Sequence, residues 1–235
     1  MELRGAVALV TGGAAGLGSF IASRLTSAGA TVVIADIEEG EHESVRCDVR
    51  VPADVERTID VVCSRHGGLD LLVNNAGGVG ALDFPEASSD SWRAIVDLNL
   101  TSPMLATQLA LEPMRARGGG AVVNIASSAG LGLAPYDSPE YGAAKAGLIR
   151  FTSTLAGLRE TMNVRINCVV PDWIGLERAH AELAAMSPAE QAAAPSFVEP
   201  SAIADVVADL ACDESLAGRV VVMRGGEPPE LLPQS

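Results

Sequence analysis

Ala6-Val7-Ala8-Leu9-Val10-Thr11-Gly12-Gly13-Ala14-Ala15-Gly16-Leu17-Gly18 runs from a continuous apolar stretch, through closely spaced glycines, into a segment of helical spacing. Ala6–Val10 predicts a buried strand, and about Leu17–Ala28 predicts a helix that Gly29 is placed to stop. Glycine at position 12 or 13 permits a positive φ in the tight turn between them, and Gly18 permits close helix packing. Gly16 lets the backbone approach a phosphate, and the helix start adds unpaired N–H groups and a positive dipole end. A strand, this turn and a helix together point to a dinucleotide's pyrophosphate.

The same alternation continues along the chain. Thr31–Ala35, Leu69–Asn74, Ala121–Ala126, Val164–Val169 and Arg219–Met223 are short apolar runs expected as strands. Between them lie helical patterns at about Ala53–Arg65, Ser91–Arg117, Pro139–Thr161 and Ser201–Cys212. Pro103 is expected to bend the second of these near its middle, and Pro113 to end or kink it near its last turn. Strands that are apolar throughout, separated by helices, argue for an α/β fold: a doubly wound parallel sheet with helices on both faces. The chain's 235 residues suit one domain, residues 1–235, with an irregular substrate-covering segment at about 173–199. The tail from Pro228 is expected to lie extended on a surface.

Composition narrows the class further. Apolar residues make up 48% and aromatics only 3%, so Ala, Val, Leu and Ile must fill the core. A net charge of −14 repels phosphate backbones, which argues against nucleic acid as a partner. An anionic cofactor can still bind, through local backbone donors rather than a basic field. Cys47, Cys63, Cys168 and Cys212 are far apart and read as free thiols of a reducing compartment. His42, His66 and His180 have no ligand-like spacing, so no metal site is expected. No apolar run reaches the length of a membrane span, and the N-terminal run stops at Thr11-Gly12-Gly13, too soon for a signal peptide. Cytoplasmic residence without membrane attachment is the expectation.

Asp36 closes the second strand, 18 residues beyond Gly18. A carboxylate there accepts hydrogen bonds from both adenosine ribose hydroxyls and repels a 2′-phosphate. The glycine turn and the stretch from Ile37 through Val45 hold no lysine or arginine, which favours NAD over NADP. Eleven residues separate Asp36 from Asp48, enough for a turn and a short third strand but not for a full helix as well.

With these residues in view, the chain resembles the short-chain dehydrogenase/reductase family over essentially its whole length. The resemblance rests on the T-G-x-x-x-G-x-G form of the turn, Cys47-Asp48-Val49, Asn74-Asn75-Ala76-Gly77, Asn99, Ser128, and the pair Tyr141 and Lys145. It implies a Rossmann-type fold binding NAD through Gly12, Ala14, Gly16, Leu17, Gly18, Asp36, Ile37, Asp48, Val49, Asn75, Ala76, Gly77, Tyr141, Lys145, Pro171 and Ile174. It also implies catalysis by Asn99, Ser128, Tyr141 and Lys145 on a secondary alcohol or ketone. Homotetramers or homodimers would form through the long helices at Ser91–Arg117 and Pro139–Thr161.

The chemistry fits the spacing. Tyr141 and Lys145 stand i, i+4 on one helix face. A free tyrosine titrates near pH 10, and a neighbouring ammonium favours the phenolate, which brings the group toward use as a general acid and base. Ser128 would orient the reacting oxygen, whereas Ser127 is expected to point to the opposite face. The resemblance further implies that Lys145 bonds the nicotinamide ribose and that Asn99 holds a water linking it to solvent. Tyr136 is a decoy, because position 140 is Glu140 rather than a lysine.

Pro171-Asp172-Trp173-Ile174-Gly175-Leu176 departs from the family's pattern: Asp172 stands where a glycine is usual and Leu176 where a threonine is. Asp172 either selects a cationic substrate or points to solvent, while Ile174 can still offer its backbone to a carboxamide. Two other readings remain open: a 3-hydroxyacyl-thioester dehydrogenase or reductase, and an NAD-binding regulator without turnover. The first lacks a basic cluster for a coenzyme phosphate, and the second is opposed by the complete Asn-Ser-Tyr-Lys set.

Overall fold

A computed structural model describes residues 1–80, 86–132 and 137–233. Eight strands form one sheet in the order β3-β2-β1-β4-β5-β6-β7-β8. The strands are β1 (Val7–Thr11), β2 (Thr31–Asp36), β3 (Glu43–Arg46), β4 (Leu71–Asn74), β5 (Gly120–Ile125), β6 (Val164–Pro171), β7 (Val220–Met223) and β8 (Glu230–Leu231). The first seven run parallel, and β8 turns back antiparallel on β7, so part of the expected extended tail is a short edge strand. The strand order reverses between β1 and β4, and the crevice at that switch point is where such sheets bind ligands.

Both faces of the sheet are covered. Helix α1 (Gly16–Ser27) and α9 (Pro200–Cys212) pack together on one face, over Val10, Ile34, Val73, Val123 and Val169. The opposite face packs Leu9, Val33, Leu72, Val122 and Ile166 under α2 (Pro52–His66) and α4 (Ser102–Ala116). Neighbouring strand residues alternate between these two apolar layers, which is why the strands are apolar at every position. No helix among the described residues is long and apolar enough to cross a membrane.

Two helical expectations are corrected. Ser91–Arg117 is one helical run, but its irregularity is not a simple bend at Pro103: α3 (Ser89–Val96) passes through a π-helical turn at Asp97–Thr101 directly into α4. Pro103 follows directly on the π-helical turn within one unbroken run of helical backbone, and Pro113 lies within the helix, which continues to Ala116. Pro139–Thr161 is divided into α5 (Pro139–Thr154) and α6 (Leu158–Met162), parted at Leu155–Gly157. Between Asp36 and Asp48 there is β3 and no helix.

Candidate active site

The turn after β1 is held open by the residues beside it. Gly12 and Gly16 have φ of +64° and +54°, in the left-handed region that disfavours side chains. A Cβ at Gly18 would overlap the Gly12 carbonyl oxygen, so α1 can start this close to β1 only with glycine there. Ala15 caps the helix without a side-chain hydrogen bond, and its first turn carries no acidic residue. The opening N–H groups are therefore not taken by a capping side chain, as a pyrophosphate needs.

Asn75 is bound to this turn. Its Nδ2 donates to the carbonyls of Thr11 and Gly12 at 3.0 and 2.9 Å, while the backbone N–H groups of Asn75 and Ala76 donate to Thr11 Oγ1. Its side chain thus shapes the phosphate turn, and the backbone at Ala76 and Gly77 follows beside it. Asn74 is buried and donates to Asn124 Oδ1 at 2.8 Å, joining the C-terminal ends of β4 and β5.

Asp36 lies at the end of β2. Its Oδ2 accepts from the Ala14 N–H at 3.0 Å, and its Oδ1 from the Glu38 N–H at 3.2 Å, which aims the carboxylate beside the glycine turn. Ile37 next to it is half exposed, an apolar surface on the side where adenosine would lie. The β2–β3 register sets Arg46 directly across from Asp36, one residue beyond the cation-free window of the sequence. Asp48 is less free than expected, because Arg50 grips its two oxygens at 2.9 and 2.7 Å. That hydrogen bonding holds its carboxyl below the usual aspartate range. Val49 is buried beside it.

The second cluster gathers where β5, β6 and α5 meet. Asn99 sits in the π-helical turn, fully buried. Its Oδ1 accepts from the Gly78 N–H, and its Nδ2 donates to the carbonyls of Gly78 and Ile95. The side chain itself therefore fixes the loop after β4 against the helix. Lys145 is 3% exposed and donates to the Ile125 carbonyl at 2.9 Å. Its Nζ lies 5.6 Å from the centre of the Tyr141 ring. Burial lowers the Lys145 ammonium to about 8, partly offset by the nearby Cys168, whose thiol burial raises to about 12.

Ser128 opens a short 3₁₀ turn, Ser128–Gly130, just beyond β5, and Ser127 Oγ caps that turn by accepting from the Ala129 N–H. Gly130 sets the distance to α5, because a Cβ there would strike the Lys145–Ala146 backbone. The sequence's signal for this residue was only a glycine two positions after Ser128. Ser128 Oγ donates to Asp172 Oδ1 at 2.7 Å. Of the two readings of Asp172, this sets aside the solvent-facing one: the carboxylate faces inward and accepts the hydrogen bond of the serine hydroxyl. Ser128, Tyr141, Asp172, Ile174, Leu176 and Arg178 line one cleft of about 520 Å³, within the range of small-molecule sites. Pro171 ends β6 at its rim, and the Leu176 side chain leans toward Gly16 of the phosphate turn. Tyr136 lies outside the described residues.

Segment 173–199 forms α7 (Glu177–Ala185) and α8 (Pro188–Ala193). It is pinned by a bridge between Ile174 and Val198, and by Phe197 packed between Trp173 and His180. Among the described residues, no group of three or more His, Cys, Asp or Glu side chains could hold a metal ion.

Residues 6–185 match the short chain dehydrogenase family model. A cis-4-hydroxycyclohexanecarboxylate dehydrogenase of Sinomonas cyclohexanicum is 32% identical, covering 94% of this chain and 95% of that protein. A D-threitol dehydrogenase of Mycolicibacterium smegmatis is 33% identical over 76% of this chain and 74% of its own. A solved short-chain dehydrogenase/reductase structure from Burkholderia xenovorans superposes with a TM-score of 0.85 at 31% identity, over 96% of this chain and 97% of that one. The chain belongs to the short-chain dehydrogenase family. It is by that membership an oxidoreductase of alcohol- and ketone-type substrates, in a family that binds a nicotinamide dinucleotide.

Proposed function

We propose that the protein is an NAD-dependent oxidoreductase of a small secondary alcohol or ketone, with Tyr141 as the general acid and base. The observation that carries this reading is the convergence of Ser128 and Tyr141 on one cleft, with buried Lys145 beside the Tyr141 ring. The residues fit a dinucleotide: an uncapped helix start for pyrophosphate, and Asp36 beside it for a ribose diol. Bound NAD would supply or accept the hydride.

The remaining work falls to side chains. Tyr141 takes the hydroxyl proton from the alcohol, or returns it to the forming alkoxide. Lys145, still mostly ammonium at pH 7, favours the phenolate electrostatically. Ser128 orients the reacting oxygen. Asn99 and Gly78 brace the loop that runs past Lys145. Asp36 favours NAD, and Arg46 across from it is the one observation that supports NADP as a second cofactor.

A thioester substrate is the second reading for the reaction. It draws on a carboxyl-CoA reductase of Mycobacterium tuberculosis that is 38% identical over 93% of this chain. The test is a panel of secondary alcohols, ketones and 3-hydroxyacyl thioesters followed by NADH absorbance, with wild type and Tyr141→Phe. Tyr141→Phe is expected to lower turnover by about 10²–10⁴-fold. Unchanged turnover would remove Tyr141 from the mechanism. NADH binding with no turnover anywhere in the panel would favour a regulator.

A further inference from the structure

We propose that Asp172 selects the substrate: it recognises a hydroxyl or ammonium donor on the carbon next to the reacting one. This rests on the hydride-transfer reading above and adds a substrate class to it. Ser128 has one hydroxyl proton, and it is donated to Asp172 Oδ1 across an O···O distance of 2.7 Å. While the bond holds, Ser128 can accept a hydrogen bond but cannot donate to a substrate carbonyl. A substrate with a single hydroxyl or ketone offers Asp172 nothing in exchange, so Ser128 stays engaged. A substrate with a second donor beside the reacting carbon can bond Asp172 itself, and the serine is then free to turn to the reacting oxygen.

The dimensions permit this. Hydrogen bonds of about 2.8 Å from the reacting oxygen to Ser128 and from the second donor to Asp172 close on a substrate O···O separation of about 3 Å, as in a gauche vicinal pair. The carboxylate has acceptor sites to spare. Among the described residues, Oδ1 is the oxygen that Ser128 uses, and Asp172 lines the cleft. Its backbone N–H donates to the Met223 carbonyl at 2.9 Å, which fixes the residue at the mouth of the site. Arg224 lies within its field but is committed to Glu230 at 2.7 Å and Glu227 at 3.9 Å, so the local charge remains negative. Arg178, which lines the same cleft, is paired with Glu182 at 3.2 Å.

The experiment compares butane-2,3-diol, 3-aminobutan-2-ol and butan-2-ol, which share one carbon skeleton, in wild type, Asp172→Gly and Asp172→Asn. In wild type, kcat/KM for the diol and the amino alcohol is expected to exceed that for butan-2-ol by about tenfold or more. Asp172→Gly should bring all three within about twofold, by weakening the first two and raising butan-2-ol. Asp172→Asn, which keeps size and an acceptor oxygen, should retain the diol preference and lose most of the ammonium preference. A second readout uses Tyr141→Phe with NAD⁺ bound, in which dissociation constants for the three compounds are measured without turnover. A preference for the donor-bearing pair that disappears in Tyr141→Phe/Asp172→Gly supports the proposal even where no compound is oxidised, and in that case only the hydride-transfer reading fails. Equal binding of all three compounds, or a preference that persists in Asp172→Gly, would overturn the role given to Asp172.

Discussion

Lys145 ties the chemistry of the site to the stability of the fold, and the link is measurable without a substrate. Burial against the Ile125 carbonyl lowers its ammonium from an ordinary 10.5 to about 8. Unfolding therefore takes up a proton between these two values. Below about pH 8 both states are protonated and the whole cost of the buried charge is present; as pH rises toward 10.5 that cost is relieved. With one pH unit worth about 1.4 kcal/mol, the cost at pH 7 is about 3 kcal/mol, and about 1 kcal/mol of it is recovered by pH 9. The thiols of Cys47, Cys63 and Cys168, raised by burial, work in the opposite direction as their unfolded counterparts ionise toward pH 9 and beyond. They are present in wild type and in a lysine variant alike, so over the window from pH 7 to 9 the difference between the two isolates the lysine. Urea unfolding of wild type and Lys145→Met should be followed across that window at constant ionic strength. Methionine keeps the stem and removes the proton, while the bond lost at Ile125 shifts the variant's curve by an amount independent of pH. The wild-type stability should rise relative to Lys145→Met by about 1 kcal/mol between pH 7 and 9. Parallel curves, or a difference that falls with pH, would show that Lys145 titrates in the fold as it does in water.

The other predictions concern different parts of the molecule. Asp36→Ala should weaken NADH binding by about 10–100-fold, through loss of charge-assisted ribose bonds, and narrow the gap to NADPH, read by fluorescence titration of both. If wild type binds NADPH more tightly than NADH, Asp36 does not govern the choice and Arg46 takes its place. Gly18→Ala pushes a methyl into the Gly12 carbonyl, so NADH affinity should fall and the melting midpoint drop; a variant with wild-type values for both would contradict the crowding at that turn. Arg165 is buried and donates to the carbonyls of Leu210, Ala211 and Asp213 at the end of α9. Arg165→Met should cost about 2–4 kcal/mol in urea unfolding, and a loss below 0.5 kcal/mol would show those carbonyls to be hydrated instead. The exposed Met104 on α4 marks the helix expected to meet a second copy, and a monomer mass by light scattering would refute that assembly.

What could be read in the sequence follows from how local each determinant is. The glycine turn was legible because its requirements are backbone ones: positive φ at Gly12 and Gly16 favours glycine, and the absent Cβ at Gly18 can be met by glycine alone. The parallel sheet was legible because strands buried on both faces leave no polar alternation. Tyr141 and Lys145 share a helix face by spacing alone. The π-helical turn at Asp97–Thr101 was hidden, since it is one turn wound wider and Pro103 offered a nearer explanation for a bend. Arg46 was missed because its nearness to Asp36 arises from strand register, ten residues away along the chain. Asp172 shows the same limit at the point of greatest consequence. In the sequence it is a departure from a glycine, 44 residues from Ser128, and nothing local says which way it points. Only the pairing of β5 with β6 brings the two together. Once they meet, a residue that looked like a defect in the nicotinamide grip is the acceptor of the Ser128 hydroxyl. On the proposal made for Asp172, substrate choice then rests on a contact between the ends of two neighbouring strands.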